Sequence, residues 1–268
     1  MKNVVLLGGE PTLKPNLEKI IEALSCLGIC VYVTTNGSLL DSEYVAAVLR
    51  HATGVNISIH DYDMGRNQDI TGILLKTDVL RGAIGAMHCH GIKVRLNCNC
   101  IKGFTDDYSR MRAYVVFARW LGADSIRFAE LKHSVQFVDL AEIFYKLLPV
   151  GYDPYVDGCS IDTRIDNFPV NLRLMCGMQT RFRKMPKNPE QITSDVLYYD
   201  GLFYSGWQKE GAYMDDKDLV SLLRDVHNQK ISVAEAALKI GREMKTATPT
   251  PGHEPRKGDI PPGGGCRY

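Results

Sequence analysis

The chain has 268 residues, of which 45% are apolar and 24% charged, a composition that suits one large globular domain or two small ones and excludes a fibrous or disordered polymer. Its 32 basic and 31 acidic side chains leave a net charge of +1, without the basic bias of a nucleic-acid binder, and no apolar run is long enough to cross a bilayer. Eight cysteines without a secretory cleavage pattern point to reduced thiols in a cytoplasmic protein, not to a disulfide framework.

The first 130 residues alternate strand and helix. NVVLLGG (3–9) reads as an apolar strand running into Gly8-Gly9-Glu10-Pro11. PNLEKIIEALSCLG is an amphipathic helix closed by Gly28. ICVYVTTNG is the second strand, and Asp41 can cap a helix over SEYVAAVLRHA. GVNISIH is the third strand, followed by what reads as a polar loop, DYDMGRNQDITG (61–72). A helix over LLKTDVLRGAIGAMHCHG, a strand over IKVRLNCNCIKG, a helix over DDYSRMRAYVVFARWLGA and a fifth strand, SIRFAEL, complete the series.

After residue 131 the pattern changes. VDLAEIFYKLLPVG reads as a helix and residues 151–195 as loop-rich chain. SDVLYYDGLFYSGW reads as a hairpin turning at Asp200-Gly201. Two short amphipathic helices follow, DDKDLVSLLRDVHNQ and SVAEAALKIGREM, and then a Pro- and Gly-rich tail expected to be disordered. The expected division is 1–132, a C-terminal extension over 133–245, and a tail over 246–268.

Continuous apolar strands, each followed by a helix, predict an α/β protein with a parallel sheet, either an open doubly wound sheet or a barrel. In both, ligands bind at the carboxyl ends of the strands. Polar residues gather there: Gly8-Gly9-Glu10, Thr34-Thr35-Asn36, Ser58 with His60 and Asp61, Asn97 with Asn99, and Arg127 with Glu130.

In that order, LLGGEPTLKPNLEKII, TTNGSLL, VNISIHD, GIKVRLNCNCIKG and IRFAELK resemble the radical SAM superfamily, nearest the branch of the molybdopterin-precursor synthase and the SPASM-type peptide-maturing enzymes. The resemblance covers about Asn3 to Lys132. It implies a partial (β/α)6 TIM-like barrel of parallel strands that lacks its first strand, with a small C-terminal α+β extension completing or capping it. It implies S-adenosylmethionine (SAM) as cofactor, a [4Fe-4S] cluster that cleaves SAM reductively, and hydrogen abstraction from a small-molecule or peptide substrate; the balanced charge points to neither nucleic acid nor membrane as partner. Gly8, Gly9, Glu10 and Pro11 match the loop that meets the methionine part of SAM. Thr35, Asn36, Ser58, Asn97 and Arg127 match further cofactor-lining positions, and no catalytic residue is assigned.

One element of the family pattern is missing. Three thiolates of a CxxxCxxC loop hold the family's cluster, and this sequence contains no such motif. Cys26 and Cys30 lie at the wrong end of the sheet. Cys98 and Cys100 share an apolar strand face with Val94 and Leu96. Cys159 and Cys176, the remaining metal candidates, are too few for an auxiliary cluster. The expectation is a radical SAM protein whose cluster comes from a missing N-terminal segment or a partner chain. The alternative is a degenerate module that binds SAM or a peptide without radical chemistry. His60 is a possible proton carrier. His88 and His90 beside Cys89 do not converge on a metal, and the RFRK run at 181–184 reads as a solvated loop.

Overall fold

The computed structural model describes residues 3–131, 134–148, 150, 160–174, 195–197, 202–205, 214–215 and 225. These fall in two compact units, one within residues 1–186 and one within 187–267.

The first unit carries the alternation read from the sequence. Its elements run β1 (Asn3–Leu6), α1 (Leu17–Cys26), β2 (Cys30–Thr35), then α2, which is α-helical over Ser42–Tyr44 and π-helical over Val45–Leu49. β3 (Gly54–Ser58), α3 (Met64–Thr71), α4 (Thr77–Cys89), β4 (Lys93–Asn99), α5 (Tyr108–Leu121) and β5 (Ser125–Ala129) follow. A four-residue helix α6 (Leu140–Ile143) and a pair of strands, β6 (Ser160–Ile165) and β7 (Phe168–Arg173), complete it. The sheet order is β1-β2-β3-β4-β5-β7-β6. β1 to β5 lie side by side in chain order, all parallel; β7 adds in parallel to β5 and β6 pairs antiparallel to β7. A doubly wound sheet reverses its strand order at a switch point. This sheet has no reversal, so the winding is that of a (β/α) barrel.

Three segments differ from the sequence reading. The loop expected over 61–72 contains α3. Its apolar content is low, but Asp63 Oδ1 accepts the N–H groups of Gly65 and Arg66, and Gly72 ends the helix in the left-handed region (φ 72°). Capping at both ends supplies what periodicity lacks. The loop-rich stretch after 151 contains the β6–β7 hairpin, turned by Asp166 and Asn167, both at positive φ (49° and 65°) as a two-residue type I′ turn requires. Among its described residues, the helix expected over 138–151 is helical only at Leu140–Ile143.

Period-two alternation divides the sheet into two unlike faces. Val31, Val33, Val55, Ile57, Val94, Leu96, Cys98, Ile126, Phe128, Val170 and Leu172 are buried, packed in one core with Ile21, Leu80, Ile84, Met87, Met111, Tyr114 and Ala118 of the covering helices. Burying such a side chain contributes roughly 1.5–3 kcal/mol. The other face is polar. One cross-strand row reads Thr34, Asn56, Arg95, Ser125, and the next Ser58, Asn97, Arg127, Asn171, Asp162. The interior of a closed eight-stranded barrel is filled by Val, Ile and Leu. This inner face is built of hydrogen-bonding groups instead, and acts as a lining.

The second unit shows three antiparallel strands in the order β10 (Met214–Asp215), β9 (Leu202–Ser205), β8 (Asp195–Leu197). β8 and β9 are the arms of the hairpin expected over 194–207; its turn, Asp200-Gly201, lies outside the described residues. So do the tail and nearly all of the two helices expected over 215–229 and 232–244. Among the described residues, no helix is long and apolar enough to cross a membrane.

Candidate functional site

The loop after β1 is organised by one carboxylate. Glu10 Oε1 accepts the N–H of Thr12 (3.1 Å), the hydroxyl of Thr12 (2.6 Å) and the hydroxyl of Thr35 (2.7 Å), while Oε2 accepts the N–H of Asn36 (2.7 Å). Glu10 thereby caps the 3-10 turn Pro11–Leu13 and ties it to the end of β2. With about two acceptor positions per oxygen, Oε1 is saturated and Oε2 keeps room for one more donor. Tyr44 Oη donates to Thr12 O (3.0 Å), pinning α2 to the loop, and burial first, then Glu10 and Glu18, raises the Tyr44 pKa. At Gly8 and Gly9 the space a Cβ would occupy has no heavy atom within 4 Å. The glycines leave an open approach to the backbone beside a carboxylate with spare acceptor capacity.

The other predicted cofactor positions separate into three settings. Thr35 is buried, on the same side as Val31 and Val33, and serves Glu10; its Oγ1 also accepts the N–H of Gly37. Asn36 gives its N–H to Glu10 and takes the N–H of Ser38 on Oδ1. Ser58 and Asn97 are register partners on the inner face, half-buried. Arg127 shares their row but stands three strands from Thr35, with its Nε donating to Asn171 Oδ1 (2.8 Å). Glu130, grouped with it by sequence, is turned into the core, where Oε1 accepts the N–H of Leu140 (3.0 Å).

The end of β3 is held by a network that sequence patterns did not reveal. His60 N–H donates to Asn67 Oδ1 (2.8 Å), His60 O accepts from Thr105 Oγ1 (3.0 Å), and His60 Nδ1 accepts the N–H of Asn99 (3.1 Å). That last bond fixes the neutral tautomer with its proton on Nε2. Burial lowers the His60 pKa to about 4. A proton carrier near neutral pH needs a pKa near the working pH, so this imidazole acts as a neutral donor. Asp61, fully buried, accepts from Arg66 Nε (2.9 Å) and from the N–H of Asp63 (2.9 Å), while Arg66 Nη2 reaches Gly103 O (2.9 Å).

Below this mouth the inner face opens into a cleft of about 820 Å³ lined by Arg95, Arg127 and Arg164 together with Ser160, Asp162 and Asn171. Arg95 Nε donates to Asn97 Oδ1 (3.1 Å). Burial, then the Arg127 charge, brings the Arg95 pKa down to about 10; burial, then Arg173, lowers that of Arg127.

The sequence was compared with known families and structures. Residues 1–113 match the family model described as the radical SAM superfamily. A probable GTP 3',8-cyclase of Saccharolobus islandicus is 30% identical over 228 residues, 84% of this chain and 68% of that protein. The chain belongs to the radical SAM superfamily. The GTP 3',8-cyclase of Aquifex aeolicus is 26% identical over 208 residues, covering 75% of this chain and 56% of that protein. A probable GTP 3',8-cyclase of Pyrobaculum aerophilum is 34% identical over 134 residues, covering 48% and 42%. The chain thus spans about half the length of these last two relatives. In fold it resembles the crystal structure of Streptococcus suis SuiB, with a TM-score of 0.51 at 16% identity over 76% of this chain and 50% of that one. The SuiB structure bound to S-adenosylmethionine gives 0.50 at 18% identity, over 76% and 49%.

Superfamily membership implies SAM and an iron–sulfur cluster, and the two fare differently against the described residues. The open backbone at Gly8-Gly9 beside Glu10 Oε2 suits the ammonium and carboxylate of an amino-acid moiety. For the cluster, no three His, Cys, Asp or Glu side chains converge on a metal position among the described residues. Cys98 and Cys100 are buried in the core, where burial first, then Cys98, raises the Cys100 pKa far above the usual thiol range. Cys159, Cys176, Cys266 and the RFRK run lie outside the described residues.

Proposed function

We propose that this chain is the SAM-binding part of a radical SAM enzyme, with cofactor at the mouth and substrate against the polar inner face. The observation that carries this reading is the Gly8-Gly9-Glu10 loop: open backbone beside a carboxylate held in place by four donors, with one acceptor position to spare. SAM cleaved reductively at a [4Fe-4S] cluster supplies hydrogen abstraction. This chain's residues seat and orient the cofactor: Glu10 Oε2 takes the ammonium, the Gly8-Gly9 backbone lies along the methionine moiety, and Ser58, Asn97 and the His60 Nε2 proton offer neutral hydrogen bonds. The sequence has no CxxxCxxC, so the reading draws the thiolates from polypeptide other than these residues. The names of the relatives favour a guanine nucleotide over a peptide as substrate.

The test is calorimetric titration of SAM into the wild-type chain and Gly9→Ala. A Cβ at position 9 meets nothing in the protein, so the variant should fold normally and bind SAM at least tenfold more weakly. Equal affinity in both would overturn the loop as cofactor site. An absence of SAM binding in the wild type would overturn the reading of this chain as the SAM-binding part.

A further inference from the structure

The cleft on the amino-terminal half of the inner face has a chemistry of its own. Arg95 and Arg127 stand on neighbouring strands, two residues apart in register, so their Cα atoms are separated by roughly 8 Å. Each spends its Nε on an asparagine carbonyl, Asn97 for Arg95 and Asn171 for Arg127. The asparagines hold the two guanidiniums by their Nε atoms, and both arginines line the cleft. Arg164 adds a third guanidinium, with one Nη on Asn167 O (3.0 Å). Among the described residues none of the three has a carboxylate within ion-pair distance. The nearby carboxylate, Asp162, accepts instead from Asn171 Nδ2 (2.8 Å).

Placing two half-buried guanidiniums side by side with no carboxylate in ion-pair distance among the described residues is costly. Desolvation acts first against both charges, with repulsion from Arg127 on Arg95 and from Arg173 on Arg127, and the attraction of Asp162 offsets only part of this. An arriving anion reverses the balance, because charge-assisted bonds from paired Nη edges match the geometry of phosphate oxygens.

We propose that Arg95, Arg127 and Arg164 form a phosphate-binding site that holds the anionic end of the substrate, distinct from the SAM loop. Arg95 lies four residues before Asn99 on β4, so the anion sits roughly 13 Å below the mouth, and the substrate is an elongated phosphorylated molecule whose reacting end faces the cofactor. The occupant rests on the function proposed above; the site does not.

The experiment is calorimetric titration of the full 268-residue chain with inorganic pyrophosphate, in parallel with citrate and with SAM. Pyrophosphate should bind and raise the melting temperature. Arg95→Gln and Arg164→Gln should each weaken it at least fivefold and leave SAM affinity unchanged; Arg164 is exposed, so that variant keeps the test valid if Arg95→Gln fails to fold. No pyrophosphate binding, or binding indifferent to both substitutions, overturns the site. Citrate binding as tight as pyrophosphate overturns the phosphate assignment in favour of a general anion site. Pyrophosphate binding without SAM binding upholds the cleft while removing the proposed function.

Discussion

The Thr35 hydroxyl donates to Glu10 Oε1 at 2.7 Å and in turn accepts the N–H of Gly37 at 3.1 Å. One buried threonine on β2 thus fixes both the loop after β1 and the start of the loop after β2. Thr35→Val keeps the shape and removes the hydroxyl. It leaves the Gly37 N–H without this acceptor and frees one side of Glu10, a loss of about 1–3 kcal/mol for a buried polar group left unmade. Urea denaturation should show that loss. SAM titration should show affinity lower by about tenfold, the equivalent of 1.4 kcal/mol. Full affinity in the variant would mean Glu10 is positioned without Thr35.

His60 makes stability depend on pH. Its folded pKa is lowered from 6.5 to about 4, so between those values the unfolded chain binds a proton that the folded chain does not. The stabilisation is therefore complete above about pH 6.5 and lost as pH falls towards 4, on the order of 3 kcal/mol from this residue. His60→Asn retains an acceptor for the Asn99 N–H and removes the titration. Unfolding free energies at pH 7 and pH 4.5 should converge in the variant relative to wild type. Nitrogen-15 NMR at pH 7 should show the His60 imidazole neutral and protonated on Nε2, and it should stay so at pH 5.

What the sequence disclosed follows from where its signals are local. The five βα units are legible because each strand is a continuous apolar run and helix punctuation such as Asp41 and Gly28 sits where the chain uses it. Helix α3 was hidden because Asn67 and Ile70 are its only buried residues, leaving no stripe for periodicity to find. The β6–β7 turn was hidden because Asp166 and Asn167 adopt positive φ without a glycine to announce it. At the site, Glu10 stood out by its motif, whereas Arg95 did not: its importance arises from Arg127 on the next strand, 32 positions away, a juxtaposition made only by register. The side that Thr35 takes is written in the alternation from Val31 and Val33, but a motif centred on strand ends draws attention away from it.

The Asp61–Arg66 pair should matter more than a surface ion pair. Asp61 is buried, its side chain 1% exposed against 39% for Arg66, and the same guanidinium joins the β3 loop to Gly103 O. Arg66→Met leaves the Asp61 carboxylate with the Asp63 N–H but without its cation. Part of the charge is then relieved by solvent at the exposed Arg66 side, so a cost of about 1–3 kcal/mol is expected, below the full cost of orphaning a buried charge. Asp61→Asn in combination should recover part of it. A double-mutant cycle from urea denaturation checks both, and strict additivity would deny the coupling.

The hairpin turn offers a stability test away from the SAM loop, at the edge of the arginine cleft, where Asn167 O accepts Arg164 Nη1. Asn167 sits at φ 65°, where asparagine pays a modest penalty, glycine pays none, and alanine must force its Cβ against the backbone. Asn167→Gly should hold or slightly raise stability. Asn167→Ala should lower it by about 1 kcal/mol, a drop of a few degrees in melting temperature for a chain of this size. Asp166 must be left intact in both, because its carboxylate takes Arg112 Nε (2.8 Å) and its carbonyl takes Arg119 Nη2 (2.7 Å), fastening the turn to α5. If alanine and glycine behave alike at 167, the turn is not held at positive φ, and the register that sets Asn171 beside Arg127 must be maintained by the strands alone.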